Sequence, residues 1–142
     1  MMKKIISVLL LFIIVLSTTA CSGNLFKPKG HIDNVKISDY SSEIYTDDEI
    51  KDAIDVTLEY FKNEFYDCTL TELSFLGDEW LTDYQTFATR ENADDVIVFI
   101  SNFDTGSSGG DGSLNPNDTY ENWSWILVRE NGGQWRHVDH GY

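Results

Sequence analysis

Cationic side chains are scarce in this 142-residue chain. Ten Lys and Arg stand against 24 Asp and Glu, a formal net charge of −14. A field of that sign repels phosphate backbones and argues against nucleic acid as a partner. Cysteine is equally sparse, at Cys21 and Cys68. If Cys21 is consumed by modification, Cys68 has no mate within the chain, so the fold must stand on packing rather than on a disulfide. Long apolar runs are missing too. The longest, Ile5 to Leu16, covers twelve residues and is interrupted only by Ser7. A helix needs roughly 20 residues to cross a bilayer, which excludes a permanent span there. No internal repeat is present.

What the N-terminus does have is a processing signal. A basic start (Lys3, Lys4), the short apolar run and the small residues Ser17-Thr18-Thr19-Ala20 precede Cys21, which are the parts of a secretory leader. The cysteine directly after Thr-Thr-Ala resembles the lipobox of bacterial lipoproteins. That resemblance implies removal of residues 1–20, diacylation of Cys21 and a domain on the extracytoplasmic face of the cell membrane. Thr18 departs from the Leu usual three residues before the cysteine. Two acyl chains suffice for stable anchoring. Residues 21–39, polar and carrying Gly23, Pro28 and Gly30, read as a flexible linker. Lys27, Lys29 and Lys36 beside the anchor suit anionic headgroups, whereas from Tyr40 onward five basic residues face 22 acidic ones.

Residues 40–142 read as one α+β domain. Thr46 and Glu49 form a capping box flanked by Tyr45 and Ile50. Beyond it Ile50, Ala53, Ile54, Thr57, Leu58, Phe61 and Phe65 recur at helical spacing, predicting an amphipathic helix to about Tyr66. Cys68–Phe75 reads as a strand, Glu79–Arg90 as a shorter helix, and Val96–Ile100 as a strand covered on both faces. A loop rich in Gly, Ser, Asn and Asp, Asp104–Thr119, separates it from a strand at Trp123–Arg129. Asn131-Gly132-Gly133 then turns the chain back through Gln134–Asp139. The expected architecture is a long helix on a curved antiparallel sheet of about four strands, helices gathered on one face.

The run Ile44–Ile50, the loop Gly110-Asp111-Gly112-Ser113-Leu114-Asn115-Pro116 and the ending Trp123-x-Trp125-x-Leu127-Val128-Arg129…Gly133-x-Trp135…Gly141-Tyr142 resemble a group of short lipoproteins of anaerobic Gram-positive bacteria (Firmicutes). That group has no assigned activity and implies no catalytic residues. The element order is similar to the cone-shaped fold of nuclear transport factor 2-like or cystatin-like domains, a likeness of fold that does not transmit function.

Several constellations carry candidate chemistry. Trp123 and Trp125 share a strand face, and Trp135 on the paired strand could join them, either as core or as a stacking platform for an apolar ligand. Arg129 and Arg136 could pair an anionic ligand, or an acid across the strands such as Glu121 or Asp139. Asp104, Asp111 and Asp118, with Asn115, Asn117 and Glu121, offer the oxygen ligands calcium takes, though not at EF-hand spacing; turns use the same residues. Gly106-Ser107-Ser108-Gly109-Gly110 matches the G-x-S-x-G nucleophile pattern without the strand-to-helix turn it needs. Cys68 with His137 and His140 could hold a soft metal or form a Cys–His pair. Asp94 and Asp95 are the acids nearest a sheet end. The expectation is a non-catalytic surface lipoprotein without a cofactor that binds an envelope ligand or protein. A ketosteroid-isomerase-type enzyme with a raised carboxyl pKa, and an inhibitor or immunity-type protein meeting a basic partner, are the alternatives.

Overall fold

The computed structural model describes residues 28–142. The expected leader, residues 1–20, and Cys21 lie outside the described residues. Among the described residues no helix is long and apolar enough to cross a membrane.

Helix α1 (Asp47–Glu64) begins where its capping box dictates. Thr46 Oγ1 accepts from the Glu49 N–H at 3.3 Å, and Glu49 Oε2 accepts from the Thr46 N–H at 2.8 Å. Two otherwise orphaned donors are thereby satisfied, and Asp47, Asp48 and Glu49 sit at the positive end of the helix dipole. The inward face, Ile50, Ala53, Ile54, Thr57 and Phe61, is buried. Each large apolar side chain on it contributes about 1.5–3 kcal/mol.

Strands β2 (Cys68–Phe75), β3 (Asp95–Thr105), β4 (Thr119–Arg129) and β5 (Arg136–Gly141) form an antiparallel run. A two-residue strand, β1 (Lys36–Ile37), adds in parallel to β2, giving the open order β1-β2-β3-β4-β5. The sheet is thus five-stranded and mixed, rather than antiparallel with about four strands. The longer β4–β5 connection contains a turn in which the Gly133 N–H donates to the Glu130 carbonyl at 2.8 Å, with Asn131 and Gly132 at positive φ, 51° and 63°, as a type I′ turn requires.

The extra strand comes from the stretch expected to be a linker. The His31 N–H donates to the Cys68 carbonyl at 2.8 Å, the Leu70 N–H to His31 at 2.9 Å, and the Ser38 N–H to Leu73 at 3.1 Å. Backbone pairing is indifferent to side-chain polarity, so a polar sequence can still be tied to a sheet edge. Gly30 lies so close to α1 that a Cβ there would meet the Phe61 carbonyl oxygen at 2.6 Å. Residues 30–38 are therefore part of the domain.

The two helical elements lie on opposite faces of the sheet. Residues directly opposite in an antiparallel ladder share a face, which places Phe99, Trp125 and His140 together. Over that face α1 brings Phe61 and Phe65 to 6.0 and 5.0 Å from the Trp125 ring. Val96, Val128 and Arg136 share the other face, as do Ile126 and Asp139. There the end of α2 (Gln85–Arg90) ion-pairs with β5, Glu91 to Arg136 at 3.0 Å and Arg90 to Asp139 at 3.6 Å. The expectation of helices on one face does not hold. The reason is legible in β3: Val96, Ile97, Val98 and Phe99 are all fully buried, and an apolar run of that kind demands cover on both sides. The segment Asp78–Tyr84 ahead of α2 is a 3₁₀ helix rather than a continuation of it.

Candidate functional site

Strand β5 carries a bulge. His137 stands opposite Leu127 and Asp139 opposite Ile126, which leaves Val138 without a partner. An extra residue resets the alternation of the strand, so His137 and His140, which regular alternation would turn to opposite faces, both point toward α1. Their rings meet, with His140 Nδ1 and His137 Nε2 at 3.2 Å, one nitrogen donating and the other accepting. Tyr60 of α1 stacks on His137 at 3.8 Å between centroids, and Trp123 of β4 stacks on His140 at 5.9 Å. Phe65, at the C-cap of α1, closes edge-on against His140 at 5.3 Å and Trp123 at 6.2 Å.

Burial holds both imidazoles neutral. It depresses the His137 pKa from 6.5 to about 4, with the neighbouring His140 adding to the effect, and it lowers His140 as well. Burial also raises the Tyr60 hydroxyl, assisted by the charge of Glu64. The cluster therefore presents uncharged aromatic faces at neutral pH.

The loop between β3 and β4 closes over this cluster. It is anchored by Asp67, whose carboxylate accepts from both the Ser108 N–H at 3.0 Å and the Ser108 hydroxyl at 2.7 Å. At its far end the Asn115 N–H donates to the Tyr120 hydroxyl at 2.9 Å. Between loop and cluster lies a cavity of about 230 Å³, walled by Tyr60, Phe65, Trp123 and His140, with Glu64 and Asp111 also lining it. A shallower groove of about 590 Å³ continues between α1 and β5, where Val56, Tyr60 and His137 line it beside Asp55, Glu59 and Glu64.

The three tryptophans do not form one platform. Trp123 and Trp125 do share a face, but Trp125 is fully buried in the core, its indole N–H donating to Ser101 Oγ at 2.8 Å. Trp135 lies at the other end of α1, edge-on to Tyr45 at 5.4 Å, and donates to the Glu49 carbonyl at 2.9 Å. Trp123 alone reaches the cavity. Its indole N–H is buried and has no hydrogen-bond partner.

Arg129 is already engaged. Buried to 7 % exposure, its guanidinium pairs with Glu49 at 2.6 Å and Asp95 at 2.7 Å and lies 4.4 Å over the Trp135 ring. The backbone N–H of Thr46, then the Arg129 guanidinium, hold the Glu49 carboxyl down to about 2. The pairing is across strands as one reading had it, with Asp95 and the helix residue Glu49 in place of Glu121 or Asp139. Arg136 pairs with Glu91 at 3.0 Å and with Glu130 at 3.7 Å.

The remaining candidates serve the loops. Asp104 accepts from the Thr119 hydroxyl at 2.7 Å, Asp111 from the Ser113 N–H at 3.0 Å, and Asp118 from Asn115 Nδ2 at 3.1 Å. Among the described residues, no three His, Cys, Asp or Glu side chains gather as metal ligands would. Asp94 is exposed and accepts from the Asn131 N–H at 2.7 Å, holding the β4–β5 turn. The Cys68 thiol is fully buried, donates to the Tyr66 carbonyl at 3.4 Å, and is pushed up by burial to about 11. The Ser108 hydroxyl donates to the Asp67 carboxylate at 2.7 Å or to the Gly110 carbonyl at 3.0 Å and so pins the loop.

The histidine pair is the feature that reading the sequence as a regular strand misses. The signal would have been a bulge at Val138, and a lone valine between polar residues carries none. No family model matches the sequence, and neither a curated protein nor a solved structure gives a significant match.

Proposed function

We propose that this chain is a lipid-anchored, non-catalytic binding protein of the extracytoplasmic face of the membrane, tethered through Cys21, with the aromatic cavity beside the histidine pair as its ligand site. The observation that carries the reading is the contrast between the two parts of the α1-facing sheet surface. Phe61, Phe65, Phe103 and Trp125 fill its centre with rings 5.0 to 6.0 Å apart, so no interior chamber remains there for chemistry. At the rim the same surface opens into a cavity walled by rings and edged by Glu64, Asp111 and Ser113, a concave site of the kind small ligands occupy.

A ketosteroid-isomerase-type reaction finds little support. Of the two acids nearest the sheet end, Asp95 is ion-paired to Arg129 and Asp94 is exposed. Helix α1 lying across a sheet fits a nuclear transport factor 2-like or cystatin-like arrangement, with α2 on the reverse face as an addition to it. The neutral imidazoles are poor bases at pH 7, and their nitrogens are engaged with each other.

The test is purification of the full chain from native membranes in non-ionic detergent, followed by intact and native mass spectrometry. The expected protein begins at a diacylated Cys21 and carries a non-covalent ligand or partner that a Trp123→Leu chain does not retain. Residues 1–20 still attached, or a bare sulfur at position 21, would overturn the anchored location. Identical preparations of both chains, each free of ligand, would overturn the binding role.

A further inference from the structure

The cavity also indicates the class of ligand, and this inference rests on the binding role just argued. Four rings wall it from three directions: Tyr60 and Phe65 from the last turn of α1, Trp123 from β4 and His140 from β5. They touch one another, Tyr60 to His140 at 5.6 Å, Phe65 to His140 at 5.3 Å and Trp123 to His140 at 5.9 Å, so the wall is continuous. Aromatic faces carry partial negative charge and attract cations that have been stripped of water. Two exposed carboxylates, Glu64 and Asp111, complete the lining, and none of its nine residues is Lys or Arg.

A wall of π faces with acids at the mouth repels anions.

We propose that this cavity, of about 230 Å³, binds a small organic cation of the quaternary-ammonium class, its alkylated nitrogen seated among Tyr60, Phe65, Trp123 and His140 with Glu64 and Asp111 balancing the charge. An alkylated nitrogen suits the rings better than a primary ammonium, which is more strongly hydrated and asks for hydrogen-bond acceptors. The volume accommodates a headgroup-sized ligand and little more.

Isothermal titration of the full chain in non-ionic detergent, with choline, ethanolamine and the uncharged carbon isostere of choline, tests this directly. Choline should bind at least tenfold more tightly than its isostere and more tightly than ethanolamine. Trp123→Leu should abolish binding. Because that variant could also disturb packing, Glu64→Gln at an exposed position supplies an independent check and should weaken choline about three- to fivefold. Equal affinity for choline and the isostere, or an unchanged constant in Glu64→Gln, would overturn the proposal. Failure of all three ligands to bind a chain from which a co-purified native ligand has been removed would overturn the cation assignment alone, leaving the binding role in place.

Discussion

Acidification should destabilise this protein through His137 well before its carboxylates respond. Burial beside His140 sets the His137 pKa at about 4 against 6.5 for an exposed imidazole. The unfolded chain therefore takes up a proton first, and folding stability falls wherever the unfolded state binds more protons. The direction follows from the depressed native value. The contribution is intact above about pH 6.5, declines as the pH drops toward 4, and levels off below that. At about 1.4 kcal/mol for each pH unit separating the two values, the ceiling is about 3.5 kcal/mol; partial exposure and the shared proton with His140 reduce it to about 2 kcal/mol. Glu49 acts in a different window, since its carboxyl is held down to about 2; its contribution is lost only as the pH falls from about 4.5 toward 2. Urea unfolding followed by tryptophan fluorescence at half-unit steps from pH 7.5 to 4 measures the curve. His137→Phe keeps a ring under Tyr60 and removes that titration, so its curve should be shallower than the parent's by about 2 kcal/mol, the slope that remains being that of the buried His140. Parallel curves for the two chains between pH 6.5 and 4 would refute the reasoning, because the slope would then have to come from elsewhere.

Two further outcomes follow from the polar interior. Arg129→Met should cost about 2–3 kcal/mol in urea unfolding. That is less than the 3–5 kcal/mol of a fully buried broken pair, because Glu49 and Asp95 can rehydrate once the guanidinium is gone, each being 32 % exposed. Arg129→Lys should recover less than half of the loss, since a single ammonium cannot fork to both acids and stack on Trp135 at once. For Cys68, a thiol that is fully buried and raised to about 11, the native chain at pH 8 should resist a disulfide exchange reagent for hours and react within minutes in urea; rapid native labelling would show that the loop over it opens readily.

Much of the fold was legible because local and tertiary demands agree. The Thr46–Glu49 box opens α1 where expected, and β2 spans Cys68–Phe75 as its β-rich run suggests. The same logic explains what was missed. Beyond Ile100, strand β3 continues through Ser101–Thr105 with Phe103 and Thr105 buried while Asp104 faces water. Alternation was present there, but the single large apolar residue is surrounded by Ser, Asn and Asp, which turns also use. β1 left no trace in side chains because His31 and Ser38 dock through their backbones. The placement of α2 opposite α1 depends on which faces of β3 need cover, a question the apolar run raises without saying which helix answers it.

The site was less legible than the fold, and one residue accounts for most of the difference. With regular alternation, His137 and His140 would face opposite sides of β5, and the sequence suggests them only as partners of Cys68 in a metal site or a Cys–His pair. The bulge at Val138 shifts the phase of the strand after His137, so both imidazoles reach Tyr60 and the cavity gains His140 as a wall. Tyr120 owes its position to a similar irregularity. Trp123 follows Trp125 in regular alternation, but between Ser101 and Phe103 the β4 register slips and Asn122 adopts a positive φ of 58°, so that Tyr120 joins Trp123 against Phe103, at 5.1 and 5.5 Å. Two local departures from a regular sheet thus converge under one loop, each leaving its strand with residues that have no opposite number. His140, brought to the opening against the alternation that would have turned it to the other face, completes a ring-lined wall there, and that is the reason to look for a ligand at the rim and not along the better-formed core.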